Sequence, residues 1–343
     1  MKANSVASSM AIIALVMLGL VYGQSIVVPF IIALLIWFVV KKTRNIIDKI
    51  RFIHTYIPTW FKTLLASIFV FGILFITGEL LTYNIETLVA SYTSYAADSE
   101  VLSIRINEMI NMEENDQIQR YLESGDFTQY LQLFLKSISE ILGNILLIVF
   151  YIIFLFIEEG LVAYKLQLFF KDDVDKLSSF QATMKKIDKM LSRYFILKSV
   201  INLTTSTIAF IIMWSIGLQS PFFWAALIFF LSFIPFVGPI VSTLLPAAFS
   251  IIQSGDFIMC WFILFGIGSV QVLVGNFVEP KIMGNTLNIS PLVAIFSLAL
   301  WGSLWGVVGM LLSVPITVAI IIVLAQFPST RRAAILMSEK GKV

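Results

Sequence analysis

The polar residues most capable of chemistry follow one another at the end of a single apolar segment. Gln271, Asn276, Glu279 and Lys281 lie there, with Pro280 between the two charged residues. Ionisable groups beside a membrane span need a partner or a water-filled cavity. Glu279 is therefore either a gate or proton-linked carboxylate on a solute pathway, or it forms with Lys281 an interfacial charge pair that caps the helix. We expect Pro280 to end this helix. The two amides either bind solute or join neighbouring helices by hydrogen bonds.

Interrupted backbone provides the second set of candidates. Pro235, Gly238 and Pro239 free backbone carbonyls and amides from helical bonding and permit a sharp turn. A later apolar stretch begins at Ser290-Pro291 and contains several glycines and a proline. Because backbone broken at membrane depth must line a cavity or be buried in protein, both segments are expected to border the pathway.

Two tryptophans complete the candidates. Trp301 and Trp305 flank Gly302, and they either contact solute or pack within a hairpin or an interfacial aromatic belt. The full set of candidate pathway residues is Pro235, Gly238, Pro239, Gln271, Asn276, Glu279, Pro280, Lys281, Gly284, Ser290, Pro291, Trp301, Gly302 and Trp305.

The composition excludes a soluble protein. Of the 343 residues, 59% are hydrophobic and 13% are charged, whereas a soluble domain is about 25% charged. The apolar stretches are continuous, which excludes an alternating outer-membrane barrel. The chain is predicted to be an all-α polytopic membrane protein with about seven or eight transmembrane helices, two re-entrant or broken hairpins and a small helical extracytoplasmic region. Residues 10–40 form either one long bent helix or a tight pair of short ones, and the turn-like sequence at 22–25 favours the pair.

Two segments in the second half of the chain echo each other. Residues 221–246 and 291–315 each open and close with proline, and their glycines, Gly238 and Gly309, lie at spacings that agree within one residue. Each segment follows a full span, so the second would enter the membrane from the opposite face. The pattern predicts an inverted repeat with two facing hairpins, where transporters place their substrate site. Chance is the alternative, because proline and glycine are common in membrane helices.

The charge of the loops predicts the topology. Basic residues concentrate after Val40 and again in 165–198, and positive loops mark the cytoplasmic side, so both termini are expected in the cytoplasm. The second basic region is expected to form an amphipathic helix over 178–194, which is either a solvated linker or a dedicated contact for anionic lipid or for regulation. The expected divisions are N-terminal membrane helices in 1–82, extracytoplasmic amphipathic helices in 83–140, a membrane helix and cytoplasmic basic linker in 141–199, a transport core in 200–327 with repeats at 200–252 and 257–317, and a cytoplasmic tail in 328–343.

The residues that enzymes and metal sites need are scarce. Cys260 is the single cysteine and His54 the single histidine, so neither a disulfide framework nor a cysteine or histidine metal site is expected. No nucleophile–base motif or phosphate-binding loop occurs. The net charge of +2 is divided among separate loops. We therefore expect no catalysis, no cofactor, no bound metal and no nucleic acid. The expected partners are the lipid bilayer, a small-molecule or ion substrate, and further copies of the chain.

Several motifs occur in a characteristic order. They are Tyr194-Phe-Ile-Leu-Lys198, Phe233-Ile-Pro-Phe-Val-Gly-Pro239, Asn276-Phe-Val-Glu-Pro-Lys-Ile-Met-Gly284, Ser290-Pro-Leu-Val293, Phe296-Ser-Leu-Ala-Leu-Trp-Gly302 and Leu304-Trp-Gly-Val-Val-Gly-Met-Leu-Leu-Ser-Val-Pro-Ile-Thr317. Together they resemble the autoinducer-2 exporter family of bacterial inner-membrane transporters. The chain departs from the family pattern at Phe233 and Phe236, because Asn-rich variants of this hairpin are common, and the two rings make the hairpin tip drier.

The resemblance implies a secondary transporter in the inner membrane of a bacterium. Some members resemble exporters of the furanone signal autoinducer-2, while relatives have been assigned cation/proton antiport. The first hypothesis is export of a small polar organic solute, coupled to H⁺ or Na⁺, by an elevator or rocking motion. The second is sodium(lithium)/proton antiport with Glu279 as the titrating group. The third is a non-transporting membrane scaffold whose outer region, 83–136, binds a partner.

Overall fold

The chain is helical throughout the residues that the structure describes. The structure is a computed structural model, and it describes residues 2–97, 143–171, 173–254, 257–284 and 288–341. All regular elements in these ranges are helices, which confirms the predicted all-α class. In chain order they are α1 (Lys2–Tyr22), α2 (Gln24–Ile47), α3 (Arg51–Tyr56), α4 (Thr59–Ala97), α5 (Ile145–Phe169), α6 (Val174–Ser215), α7 (Pro221–Leu231), α8 (Val237–Ser254), α9 (Phe257–Leu273), α10 (Glu279–Met283), α11 (Pro291–Gln326) and α12 (Arg331–Met337).

Seven stretches of the described chain are long and apolar enough to cross a membrane. A span needs about 20 apolar residues to cover the ~30 Å hydrocarbon core. The stretches are Gln24–Ile47, Thr59–Asn84, Ile145–Phe169, Val174–Ser215, Val237–Ser254, Phe257–Met283 and Pro291–Gln326. Their number agrees with the predicted polytopic membrane protein.

Four helices differ in extent from what the sequence pattern predicts. The predicted linker helix over 178–194 and the following span form one continuous helix, α6, because neither glycine nor proline interrupts it. Helix α4 continues to Ala97, past the expected end of its membrane span. The remaining part of the predicted extracytoplasmic region lies outside the described residues. Residues 10–40 divide at Gly23 into α1 and α2, each longer than the short pair that the pattern favours.

The described residues form two compact units. The first contains residues 2–73, 143–188 and 289–341, and the second contains residues 74–97 and 189–288, apart from the gaps stated above. The first unit holds the segment that opens at Pro291. The second unit holds the segment that opens at Pro221 and the polar residues at 271–281. The predicted division into consecutive domains stays a prediction.

In the first unit, α2 packs along α5. Ala33 of α2 is fully buried against Ile148 and Ile152 of α5, and a small side chain at such a contact lets two helices approach closely. Arg44, in the last turn of α2, places its Nη2 2.8 Å from Oε1 of Glu159 in the middle of α5, and this largely buried ion pair ties the two helices together.

Helix α11 contains a reversal of chain direction at Trp305 and Gly306. Both residues leave the helical region, with φ −132° and ψ 18° at Trp305 and φ 59° and ψ −139° at Gly306. The indole N–H of Trp301 donates a hydrogen bond to Thr317 Oγ1 at 3.2 Å. In an uninterrupted helix these two residues would be about 24 Å apart along the axis. The two arms of α11 therefore fold against each other, and we call them the second hairpin.

Helices α7 and α8 form the first hairpin. Near the end of α8, Gln253 accepts a hydrogen bond from the N–H of Gln219 at 2.8 Å and donates one to the carbonyl of Gly217 at 2.9 Å, just before α7 begins. The rings of Trp224 and Phe249 pack with centroids 5.4 Å apart. Helix α8 therefore returns antiparallel along α7. The re-entrant placement of both hairpins in the membrane stays a prediction.

The two hairpins share the conformation of their turns. Phe236 and Gly306 each lie fifteen residues after the proline that opens their hairpin, Pro221 and Pro291. Both have a positive φ, 61° and 59° respectively. The positive φ thus occurs at the same distance from the opening proline in both hairpins. This agreement supports the predicted repeat of the two segments, because a chance placement of glycine and proline would not produce the same turn conformation at the same position.

The two hairpins also share a close backbone approach beyond the turn. A Cβ added to Gly238 would overlap the carbonyl oxygen of Leu231, and a Cβ added to Gly309 would overlap that of Trp301. Each of these carbonyls lies ten residues after the proline that opens its hairpin. Four residues after each glycine, Ser242 and Ser313 are fully buried, and each donates to the carbonyl one residue after that glycine. Glycine is therefore required at both positions by the packing of one arm on the other.

Candidate functional site

A cavity of about 650 Å³ lies in the second unit beside the tip of the first hairpin. We call it the hairpin cavity. Its wall is formed by the hairpin tip, by one face of α9 and by the start of α10. The predicted pathway residues that border it are Pro235, Pro239, Gln271, Asn276, Glu279 and Pro280. Lys198, Ser232, Phe236, Thr243 and several apolar side chains complete the wall.

A local widening of the helix shapes one wall of this cavity. Residues Val274–Val278 form a π-helical turn between α9 and α10, and the N–H of Glu279 bonds to the carbonyl five residues back. Pro280 is the physical cause, since proline has no N–H and its ring clashes with the carbonyl four residues earlier, that of Asn276. The π turn accommodates the ring without breaking the helix.

The helix continues past Pro280 to Met283. The expectation that Pro280 ends the helix is therefore wrong. The end comes instead at Gly284, whose φ of 49° is readily adopted by glycine. Gly284 does not border the hairpin cavity, so its role in the structure is to terminate α10.

Glu279 forms an ion pair with Lys198 of α6. Lys198 Nζ lies 2.6 Å from Glu279 Oε1, and the side chains are 8% and 29% exposed respectively. Tyr194, one turn earlier on α6, is buried as well. An ammonium removed from water needs such a partner. The partner of Glu279 is thus Lys198 and not Lys281, which is exposed and does not border the cavity.

Gln271 is held by two hydroxyls behind the hairpin tip. Its Nε2 lies 3.2 Å from Ser242 Oγ and 2.8 Å from Thr243 Oγ1, and both hydroxyls donate to the carbonyl of Pro239. Since the hydroxyl protons are used by that carbonyl, the hydroxyl lone pairs accept from the amide N–H groups, which determines the amide orientation. Gln271 Oε1 is buried and has no hydrogen-bond partner among the described residues. Of the two predicted roles, Gln271 therefore has at least that of joining α9 to the first hairpin.

Asn276 differs from Gln271 in its bonding. Its Nδ2 donates to the carbonyl of Val272 on its own helix at 3.0 Å. Its side chain is exposed and borders the hairpin cavity. It is therefore available to a molecule in the cavity without any helix–helix bond being lost.

The tip of the first hairpin is strained at Phe236. The N–H of Val237 bonds to the carbonyl of Pro235 at 2.6 Å, which closes a γ-turn around Phe236 with its φ of 61°. This form of the γ-turn is rare and strained, and a bulky side chain at positive φ is an outlier. The ring of Phe236 is 55% exposed and borders the cavity, whereas Phe233 is buried.

The two candidate tryptophans pack within the first unit. Trp301 and Trp305 form a cluster with Leu304 and with apolar side chains of α1 and α2. The indole N–H of Trp305 donates to the carbonyl of Leu20 at 3.2 Å. Both indoles thus have hydrogen-bond acceptors and apolar neighbours, which supports the packing interpretation among those left open by the sequence.

The other candidates shape the backbone rather than the cavity wall. Gly238 and Gly302 are points of close approach, to a carbonyl oxygen and to a methionine side chain respectively. Ser290 precedes α11 and donates its N–H to the carbonyl of Met337 at 3.0 Å. Pro291 occupies the first turn of α11, where its missing N–H has no helical partner to lose.

Sequence reasoning missed three of the residues that matter at this site. Lys198 is grouped by its charge with the basic region, yet it is buried against a carboxylate 81 residues further along the chain. Its place in the Tyr194-to-Lys198 motif was the available signal. Ser242 and Thr243 carry no sequence signal of their own, since hydroxyls are common in membrane helices and usually bond to the preceding turn.

The hairpin cavity has the character of a small-molecule site. Its wall is mainly apolar with a few convergent polar groups, as ligand pockets typically are. Among the described residues, no group of three or more histidine, cysteine, aspartate or glutamate side chains could hold a metal ion. Seven candidate spans and paired helical hairpins among the described residues define the class as a polytopic membrane protein.

Comparison with known proteins identifies the family. The sequence profile of AI-2E family transporters matches residues 10–329, and the chain belongs to this family. It is 26% identical over 333 residues to the AI-2 transport protein TqsA of Escherichia coli (strain K12), covering 97% of this chain and 95% of that protein. It is also 26% identical over 331 residues to a Haemophilus influenzae protein whose name assigns it to transport without a substrate, covering 96% of this chain and 94% of that one. A Borreliella burgdorferi protein of the same name is 31% identical over 200 residues, covering 57% of this chain and 55% of that one.

Family membership confirms part of what the sequence pattern predicts. The chain is a multi-pass inner-membrane transport protein and not an enzyme. The orientation of its termini and its assembly with further copies stay predictions.

Proposed function

We propose that this protein is a secondary transporter that exports a small polar organic solute, such as autoinducer-2, by way of the hairpin cavity. Transport is coupled to a gradient of H⁺ or Na⁺ and proceeds by an elevator or rocking motion. The name of the relative TqsA, an AI-2 transport protein, motivates the choice of solute.

The hairpin cavity is the observation that carries the proposal. Its volume of about 650 Å³ lies within the range of roughly 300–1,000 Å³ that small-molecule sites occupy. It is bordered by a broken hairpin and by a π turn, two kinds of irregular backbone that membrane proteins tolerate where they line a cavity or are buried. Gln271 and Asn276 add amide groups to a mainly apolar wall.

The ion pair between Lys198 and Glu279 supplies a gate. It ties α6 to the start of α10 at the edge of the cavity. Separating these helices requires breaking the pair, which is unfavourable unless water or solute reaches the two charges. The strained turn at Phe236 provides a second element that can change conformation, because stored strain is common at switch regions.

Reconstituted transport tests the proposal. Purified protein in liposomes should move autoinducer-2 across the membrane when a proton or sodium gradient is applied, measured with a bioluminescent reporter, whereas empty liposomes should not. A strain that lacks the protein should accumulate less autoinducer-2 outside the cell. The proposal would be refuted if the liposomes showed no flux under either gradient and the strain that lacks the protein left extracellular autoinducer-2 unchanged.

Sodium(lithium)/proton antiport is the second candidate, and one observation favours it. Glu279 is the carboxylate in the cavity wall, and a carboxylate can carry either a proton or a cation. The bonded ammonium of Lys198 competes with that role. Dye-monitored proton flux on addition of sodium distinguishes the candidates: antiport through Glu279 predicts flux that Glu279→Gln abolishes. Equal flux in both proteins excludes Glu279 as the titrating group.

A further inference from the structure

We propose that one face of α6 binds the phosphate group of an anionic phospholipid at the membrane surface. Three exposed basic residues, spaced four apart, form this face: Lys185, Lys189 and Arg193. We call them the basic row. None of them borders the hairpin cavity, so the lipid site is separate from the site of the proposed function. Of the roles that the sequence leaves open for this region, the basic row supports the contact with anionic lipid.

The basic row lacks a counter-charge among the described residues. No carboxylate in that part of the chain lies within ion-pair distance of its three side chains. The nearest acid in the sequence, Asp188, is held by Lys42 of α2, whose Nζ lies 2.7 Å from Asp188 Oδ2. Like charges four residues apart destabilise a helix, so the basic row is unfavourable without an anionic partner.

The basic row lies on the exposed side of α6. Thr183 and Tyr194 are buried, and at about 100° per residue they share one side of the helix. Each residue of the basic row is rotated from Tyr194 by roughly 100–180° around the helix axis. The three charges therefore face away from the buried side of α6.

The same face continues into an apolar row along the membrane-spanning part of α6. Its exposed members are Ile196, Val200, Leu203, Ile211 and Trp214. With the basic row they occupy a sector of about 80° around the helix axis. This part of α6 belongs to a candidate span, so its exposed apolar side chains lie against acyl chains. The basic row therefore begins where the lipid-facing surface of the same helix ends.

The length of the apolar row places the basic row at the membrane surface. Arg193 and Trp214 are 21 residues apart, which is about 32 Å along the axis of a helix. The hydrocarbon core is ~30 Å thick, and tryptophan is enriched at its boundary. With Trp214 at one boundary, Arg193 lies at the other. Lys189 follows about 6 Å further out, within a headgroup layer that is roughly 5–7 Å thick on each side.

An anionic phospholipid is the partner that fits both rows. Its phosphate oxygens accept charge-assisted hydrogen bonds from Lys189 and Arg193, and its acyl chains pack along Ile196 and Val200. Lys185 lies about 12 Å beyond Arg193, which is close enough to attract the anionic surface across a Debye length of roughly 8–10 Å. A soluble polyanion would neutralise the basic row but would make no use of the apolar row.

Lipid titration followed by native mass spectrometry tests the site. The purified full-length protein in detergent is titrated with phosphatidylglycerol and, separately, with phosphatidylcholine of the same acyl chains. A basic residue close to an anionic headgroup strengthens binding roughly fivefold. With Lys189 and Arg193 in the headgroup layer, the dissociation constant for phosphatidylglycerol should be about twentyfold lower than that for phosphatidylcholine.

Two triple variants with the same change in net charge separate the site from a general effect of charge. Replacing all three residues of the basic row with glutamine should reduce the preference for phosphatidylglycerol to about threefold or less. The control variant carries Lys49→Gln, Arg331→Gln and Arg332→Gln, which remove three exposed basic residues elsewhere in the chain. It should keep a preference of about tenfold or more.

Smaller changes keep the test decisive if the triple variant of the basic row does not fold. Lys189→Arg together with Arg193→Lys retains both charges and should retain the preference. Lys189→Gln alone should lower the preference about fivefold.

Competition identifies the source of the phosphate. Glycerophosphoglycerol has the headgroup of phosphatidylglycerol without its acyl chains, and it should not displace the lipid at equal concentration. Displacement would show that a soluble phosphate compound occupies the basic row.

Four outcomes would overturn the lipid site. These are equal binding of the two lipids, a preference that survives neutralisation of the basic row, an equal loss of preference in the control variant, and displacement by glycerophosphoglycerol.

Discussion

Replacing Glu279 with glutamine is expected to destabilise the protein by about 3 kcal/mol. The substitution removes the carboxylate 2.6 Å from Lys198 Nζ and leaves an ammonium on a side chain that is 8% exposed. Loss of one partner from a buried pair costs about 3–5 kcal/mol. The lower end applies because Glu279 is 29% exposed, so water entering at its position solvates part of the remaining charge.

A double-mutant cycle measures this coupling directly. Removing both charges, by Lys198→Met together with Glu279→Gln, leaves no isolated ion and should bring stability back to within about 1 kcal/mol of the wild type. The free energy of unfolding is measured by titration with SDS in mixed micelles for the wild type, the two single variants and the double variant. The coupling energy should exceed about 2 kcal/mol.

An exposed ion pair in the same chain is the control. Glu158 and Lys165 lie 2.5 Å apart with side chains 47% and 57% exposed, and Glu158→Gln should cost less than about 1 kcal/mol. If the loss in the double variant at Lys198 and Glu279 equalled the sum of the single losses, or if Glu158→Gln cost as much as Glu279→Gln, the reasoning from burial would be refuted.

Three further changes test the hairpins and the ion pairs. Gly309→Ala should lower the free energy of unfolding in SDS by about 2 kcal/mol, because the new Cβ would meet a carbonyl oxygen. Gly160→Ala is the control: there is open space around Gly160, so this change should raise the free energy of unfolding by up to about 1 kcal/mol. Equal effects of the two changes would contradict the folding-back of α11. Phe236→Gly should raise stability by about 1 kcal/mol, because it relieves the positive φ of an exposed residue, and a loss would show that the ring contributes more than the strain costs. A hydrogen bond from Lys62 holds the pKa of Asp48 below its ordinary value, so this pair contributes stability above about pH 3.9 that is lost as the pH falls through the lowered value. Asp48→Asn should remove that part of the acid dependence of the melting midpoint, and an unchanged profile would count against the pair.

The two hairpins show which structural features the local sequence pattern predicts. The turn at 232–236 and the break at 305–306 lie where glycine, proline and short apolar runs place them in the sequence. The sequence pattern did not predict which glycine forms the turn of the second hairpin. Gly306 forms it, whereas Gly302 and Gly309 lie within the two arms. That distinction depends on what each Cα touches once the arms have folded together, and no local spacing encodes it.

The hairpin cavity shows which contacts the local sequence pattern does not predict. Six of the predicted residues border the hairpin cavity, since polar residues next to broken apolar helices are few. A charge pair of Glu279 with Lys281 was one of the two alternatives that the sequence left open, because Lys281 is near in sequence, whereas Lys198 is near in space. The sequence pattern also did not predict that the helix continues past Pro280. The continuation depends on a π turn, which adds one residue to the hydrogen-bonded turn of the backbone and cannot be recognised from the composition.

The sequence by itself determined that this protein is a helical membrane transporter of the AI-2E family. Long apolar runs must satisfy their backbone bonds internally, and in a membrane a helix does this within one segment, so no distant contact has to be known. Only the tertiary structure decided that Lys198 neutralises Glu279 and that Gln271 bonds to Ser242 and Thr243 of the first hairpin. Those facts depend on which side chains meet across different helices, and the meeting is set by packing of the whole unit rather than by the spacing of residues along the chain.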